Sequence, residues 1–102
     1  MPKAKAKVKA KPKAKAEWWV YILLCKDGTL YTGVTTNLER RLSQHNAGTA
    51  SKYTRSRRPV TMIYRERAKS HGAALRRELA IKKLTRDAKD TLIATQRTRK
   101  RA

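Results

Sequence analysis

Hydrophobic and polar positions divide the chain sharply at residue 17. Residues 1–16 alternate lysine with small residues and carry almost no apolar bulk. From Trp18 the pattern reverses: Trp18-Trp19-Val20-Tyr21-Ile22-Leu23-Leu24-Cys25 is apolar, aromatic and β-prone. Such a run predicts a strand buried at the centre of a sheet. Lys26-Asp27-Gly28 interrupts it, and Thr29-Leu30-Tyr31-Thr32-Gly33-Val34 predicts a second strand. A three-residue loop ending in Gly fits a hairpin whose Gly takes the left-handed conformation. That loop pairs Cys25 with Thr29, Leu23 with Tyr31 and Tyr21 with Gly33, so Tyr21 and Tyr31 share a face. A two-residue Asp-Gly turn would shift the register and separate them.

Thr36-Asn37-Leu38-Glu39 has the spacing of a capping box and predicts a helix to about Asn46, with Gly48 as its stop. Residues 48–58 read as a basic loop, and Pro59 opens a third strand over Val60–Tyr64. Ser70 is placed to cap a helix reaching about Leu84, and Thr85 another from Arg86 to about Thr95, with Asp87 near its positive end. The order β-β-α-β-α-α implies an α+β fold: a small three-stranded, mainly antiparallel sheet flanked by helices. The expected organisation is a disordered tail over 1–17, one folded domain over 18–95 and a basic, frayed end over 96–102.

Charge adds a function class to this outline. The 102 residues carry 27 Lys and Arg against 7 Asp and Glu, a net +20. Seven of those bases and one acid lie in residues 1–17, so the remainder still holds a net +14. A surface that basic favours a polyanion, and nucleic acid is the usual one. The Lys-rich arm cannot bury enough surface to offset the entropy of ordering, and suits sequence-independent neutralisation of phosphates. Cys25 is the single cysteine, so no internal disulfide forms, which suits a reducing cytoplasm. It lies in the apolar strand and reads as a small core residue. No run approaches the roughly 18 apolar residues of a membrane span.

Candidate chemistry comes from polar groups on inward faces. Leu38, Leu42 and His45 form the apolar stripe of the first helix, and Arg41 falls on it. Ala74, Leu75 and Ile81 mark the inward face of the next helix, with Glu78 in its middle and His71 on roughly the same line at the periphery. An inward Arg or Glu is costly without a charged partner, a metal or a ligand. Two readings compete: Arg41 and Glu78 pair with each other across the layers, or both serve a site. Tyr53, Arg55, Arg57 and Arg58, with Lys52, make an aromatic and basic loop suited to a phosphate backbone or a flipped base. Gly33 lets a backbone or substrate approach the strand, or marks a plain bulge.

These residues together resemble the GIY-YIG nuclease superfamily. Trp19-Val20-Tyr21 is similar to the GIY tripeptide and Tyr31-Thr32-Gly33 to the YIG tripeptide. Thr36 to Leu42 matches the segment of the family arginine, placing it at Arg41, and Arg76 to Leu84 matches the glutamate segment, placing that residue at Glu78. The resemblance spans residues 18 to about 93 and comes nearest to small stand-alone bacterial members, through Arg41 to Asn46 and Lys52 to Arg55. Trp19 stands where the name has Gly, and Thr32 where it has Ile.

The resemblance implies a metal-dependent endonuclease acting on DNA in preference to RNA, in repair or on branched structures. It implies one divalent cation, Mg²⁺ or Mn²⁺, on Glu78. Arg41 would stabilise charge at phosphorus, and Tyr31 or Tyr21 would accept a proton from the attacking water, with Tyr31 favoured. His45, one turn after Arg41, is a second proton carrier, a phosphate contact or a packing residue. Lys52, Tyr53, Arg55, Arg57 and Arg58 are the expected nucleic-acid contacts. A cytoplasmic, nucleoid-associated location follows, with room for a protein partner that supplies specificity. The competing function is a basic nucleic-acid-binding module that keeps the fold without cutting. A ribosome-associated structural protein explains the charge but not the Tyr–Tyr–Arg–Glu pattern.

Overall fold

The computed structural model describes residues 17–101, with side chains through residue 96; the Lys-rich arm lies outside the described residues. Strand β1 (Trp18–Leu24) is the centre of a three-stranded antiparallel sheet, flanked by β2 (Leu30–Thr35) and β3 (Thr61–Ala68) in the order β2-β1-β3. The hairpin takes the three-residue loop. Cys25 N–H donates to Thr29 O at 2.9 Å, Gly28 sits at φ 88°, and Leu23 faces Tyr31 as Tyr21 faces Gly33. The turn therefore fixes the register that puts Tyr21 and Tyr31 on one face.

Strand alternation then sorts side chains into two cores. On one face Val20, Ile22 and Tyr64 pack with Ala74 and Ile81 of helix α3 (His71–Lys82) and Ile93 of helix α4 (Arg86–Arg101). On the other, Tyr21, Leu23, Cys25 and Val60 pack with Leu38 and Leu42 of helix α1 (Leu38–Ala47). Cys25 is buried there, as expected of a core residue. No described helix is long and apolar enough to cross a membrane.

Several boundaries differ from the sequence reading. Asn37, not Thr36, caps α1, its carboxamide accepting from Arg40 N–H at 2.9 Å; Thr35 Oγ1 accepts from Asn37 N–H and fixes that turn. Within the expected loop 48–58, Ser51 caps a single helical turn, α2 (Lys52–Arg55). Strand β3 begins at Thr61 and continues to Ala68, past the expected end at Tyr64. The charged Arg65-Glu66-Arg67 segment stays in the sheet because it pairs with Tyr21, Val20 and Trp19 of β1. Helix α4 runs to Arg101, beyond Thr95. Leu75, expected on the inward face of α3, is 40 % exposed, while Ala74 and Ile81 are buried. The caps at Ser70, Thr85 and Gly48 form as expected.

Two side chains tie helices to backbone. Gln96 of α4 pairs with both N–H and C=O of Arg65, blunting the outer edge of β3. Asn46 does the same for Val60: its Oδ1 accepts from Val60 N–H at 2.8 Å and its Nδ2 donates to Val60 O at 3.1 Å. Because Val60 is 4 % exposed, water cannot readily replace that pair. Asn46→Ala is expected to cost about 1–3 kcal/mol in urea unfolding; an unchanged midpoint would show that these bonds contribute nothing net.

Candidate active site

Tyr21 leaves the middle of β1 beneath α1, and its hydroxyl lies over Gly33. A Cβ at residue 33 would stand 2.5 Å from that oxygen and 2.7 Å from Cζ. What approaches Gly33 is thus the Tyr21 side chain, and not the backbone or substrate expected from sequence. Unobstructed, the Tyr21 hydroxyl reaches His45 Nε2 at 2.8 Å. His45 Nδ1 in turn lies 2.8 Å from Thr54 Oγ1, and His45 and Thr54 are both 0 % exposed. The rings of Tyr21 and Tyr31 meet His45 edge-on, at 5.8 and 5.2 Å between centroids.

Burial sets the protons in this chain. It pushes Tyr21 up to about 12, against an opposing pull from the Arg41 guanidinium beside it and a small further rise from Tyr31 and Glu78. Burial, followed by repulsion from Arg41, pushes His45 down to about 4. At neutral pH both are uncharged, so the tautomer of the imidazole decides which of the two donates.

Arg41 and Glu78 do not pair with each other. Arg41 Nη1 donates to Gln44 Oε1 at 3.0 Å, and its Nε is buried without a hydrogen-bond partner among the described residues. An open hollow of about 470 Å³ lies against it, bounded by Trp18, Thr35, Arg40 and Gln44. Glu78 comes from α3, held to the sheet by Arg77 donating to Glu66 at 2.8 Å. Its side chain is 17 % exposed, and the carboxylate meets Lys82 at 3.2 Å. Its charge bears on the Tyr21 hydroxyl. Strands β1 and β2 and helices α1 and α3 therefore bring Tyr21, Tyr31, Arg41, His45 and Glu78 to one neighbourhood. His71 stands apart, stacked on Trp18 at 4.0 Å.

The basic loop is divided in its use. Tyr53 stacks on Tyr31 at 5.8 Å, with the Arg57 guanidinium 3.9 Å from the Tyr53 ring centroid. Arg57 also meets Asp27 of the hairpin turn at 3.0 Å. Arg58 donates to the carbonyls of Arg55 and Asn46, joining the ends of α2 and α1. Lys52 and Arg55 are exposed. Asp27, read only as a turn residue, and Thr54, read only as part of a loop, are the contributors that sequence reasoning passed over. Ser51 three residues before Thr54 was the available signal for a capped turn.

A sheet that carries two tyrosines on one face, with an arginine and a glutamate delivered from helices, defines a GIY-YIG catalytic domain, and residues 17–91 match that family. The chain belongs to it. Its relatives include UPF0213 proteins of Desulfotalea psychrophila, 52 % identical over 74 % of this chain and 70 % of that one, and of the archaeon Natronomonas pharaonis, 51 % identical over 79 % and 95 %. Among solved structures, the E. faecalis protein EF2693 is 42 % identical over 80 % of this chain and 88 % of that one, with a TM-score of 0.55.

Two outcomes follow from this geometry. Gly33→Ala must displace the Tyr21 ring, and is expected to destabilise the fold by about 1–3 kcal/mol; a variant as stable as wild type would mean the ring is not seated there. The second concerns pH. With His45 at about 4 folded against 6.5 free, the unfolded chain takes up the proton first as pH falls. The stabilisation is complete above pH 6.5 and is lost on the way down to 4, on the order of 3 kcal/mol in all. Thermal melts between pH 7 and 5, where ordinary carboxylates stay ionised, should fall for wild type and stay level for His45→Gln. Parallel curves would refute the shift.

Proposed function

We propose that this protein is a metal-dependent endonuclease that hydrolyses phosphodiester bonds in DNA, in repair or on branched structures. The observation that carries the reading is the gathering of Arg41 and Glu78 beside the Tyr21–His45 pair, with Arg41 also lining an open hollow. A planar guanidinium suits a phosphate better than an ammonium would.

No cluster of three or more candidate metal ligands occurs among the described residues. Glu78 alone, largely buried and paired only at one oxygen with Lys82, fits a Mg²⁺ or Mn²⁺ ion that keeps waters and substrate oxygens as its other ligands. When bound, the ion would supply charge stabilisation to the phosphate and the departing 3′ oxygen. Arg41 neutralises charge gathering on phosphorus. Tyr21 takes a proton from the attacking water on its oxygen as its own proton passes to His45 Nε2. Tyr31, favoured as the base on sequence grounds, has no such imidazole hydrogen bond, and its role becomes orienting the water. Lys52 and Arg55 hold the backbone of the strand, with Tyr53 as an aromatic ledge. Arg57 and Arg58 lie on the same surface, held by Asp27 and by helix-end carbonyls. A cytoplasmic setting and a partner that supplies specificity belong to the same proposal.

The test is cleavage of labelled duplex, single-stranded and branched DNA, and of RNA, with Mg²⁺ or Mn²⁺ and with chelator. Cutting that needs the ion, and that falls by about 10²–10³ in Glu78→Ala and Arg41→Ala while binding largely survives, is the expected result. Undiminished cutting by Glu78→Ala would remove the metal assignment. Salt-sensitive binding with no cut on any substrate would leave a basic binding module.

A further inference from the structure

Thr54 belongs to the short α2 turn, and its side chain turns inward, fully buried, with Oγ1 at 2.8 Å from His45 Nδ1. The direction of that hydrogen bond is settled from both ends. At the Nε2 end, Tyr21 is 1 % exposed, and its hydroxyl proton has His45 Nε2 as its acceptor at 2.8 Å. Of the other polar groups near it, the Arg41 guanidinium only donates, and Tyr31 and Glu78 act on it through charge without a hydrogen bond. Nε2 must therefore present its lone pair, and a neutral imidazole with a free Nε2 carries its proton on Nδ1.

At the Nδ1 end, the Thr54 hydroxyl proton has outlets at Ser51, whose Oγ lies at 3.3 Å and whose carbonyl lies at 3.4 Å. Ser51 also caps the turn, its Oγ accepting from Thr54 N–H at 3.2 Å, so the backbone that carries Thr54 is held in place. A Thr54 lone pair is then left to accept from Nδ1–H. We infer that Thr54 is a positioning residue that fixes His45 in the Nδ1–H tautomer and aims the Nε2 lone pair at the Tyr21 hydroxyl. The turn that offers Lys52, Tyr53 and Arg55 to solvent thus also braces the site from behind. Tautomers are set in this way wherever the second ring nitrogen of a working histidine has a fixed partner. Only the consequence for Tyr21 rests on the proposed nuclease reaction; the tautomer itself does not.

The imidazole ¹⁵N shifts of the full chain read the tautomer without any substrate. Wild type and Thr54→Ser are expected to show protonated Nδ1 and free Nε2. In Thr54→Val, which keeps the shape and removes the acceptor, the Nε2–H tautomer should appear. Its kcat should fall about 10–100-fold with little change in KM, and Thr54→Ser should stay near wild type. An Nε2–H tautomer in wild type overturns the inference. So does a folded Thr54→Val that keeps the wild-type tautomer, or one that changes tautomer without losing turnover. Should Thr54→Val fail to fold, the wild-type and Thr54→Ser spectra decide. A wild-type chain with the Nδ1–H tautomer that cuts nothing would refute the nuclease reading and leave this one standing.

Discussion

Across β1 and β2 Tyr21 faces Gly33, and its phenol lies where any other residue at 33 would place a Cβ. The site depends on that vacancy. It exists only in the register set by Lys26-Asp27-Gly28, since one step of slip would turn Tyr21 away from Tyr31 and seat another residue opposite it. With the phenol flat against β2, its hydroxyl comes within hydrogen-bonding distance of a histidine on α1. One loop length, one absent methyl group and one helix position are thus coupled. A change in any of them breaks the buried hydrogen bond on which the others converge.

Buried polar groups persist only when each has its partners, and here a buried line of them and a half-exposed one meet at His45. One runs from Tyr21 through His45 to Thr54 and Ser51. The other runs from Asp27 through Arg57 and Tyr53 to the Tyr31 ring, which lies edge-on to the same imidazole. Both lines pass through the segment 51–57. That segment is exposed over much of its length, so its charge suggests an outer contact surface, yet Thr54 is fully buried and Ser51 and Arg57 are half-buried. Thr32 Oγ1 and Arg41 Nε are the exceptions to complete pairing among the described residues, and Arg41 also lines an open hollow.

Periodicity made the sheet legible because a strand covered on both faces reads as one apolar run, and Trp18 to Cys25 is such a run. Hairpin register was legible because glycine at a left-handed position restricts the turn to few types. The charged end of β3 was not, since Arg65-Glu66-Arg67 is held by pairing to β1 rather than by apolar burial. Leu75 misled for the opposite reason: hydrophobicity marks a preference for the core, but a helix packed through Ala74 and Ile81 turns the next residue, Leu75, roughly 100° away. Tyr21, Tyr31, Arg41, His45 and Glu78 were recognisable as a set. Their division of labour was not, because it depends on which hydroxyl has an imidazole behind it. Arg57 and Arg58 looked alike on paper as phosphate contacts; only tertiary structure shows Arg57 meeting Asp27 and Arg58 meeting two helix-end carbonyls.

The proton balance of the pair explains how such a site stays quiet. With Tyr21 near 12 and His45 near 4, the phenol keeps its proton and the imidazole does not take one up at neutral pH, so moving the proton between them is uphill. Burial produces both shifts by penalising charge on either ring. Any event that supplies a compensating charge acts on both at once: a phosphate beside Arg41 offsets the repulsion that adds to burial in holding His45 down, and positive charge near the Tyr21 oxygen favours its anion. On the proposed reading, the same dry packing that makes Tyr21 a poor base alone makes it respond steeply to a correctly placed phosphodiester. Substrate charge then completes the site, so a chain carrying a net +20 can sit on nucleic acid at many places while its chemistry waits for one geometry.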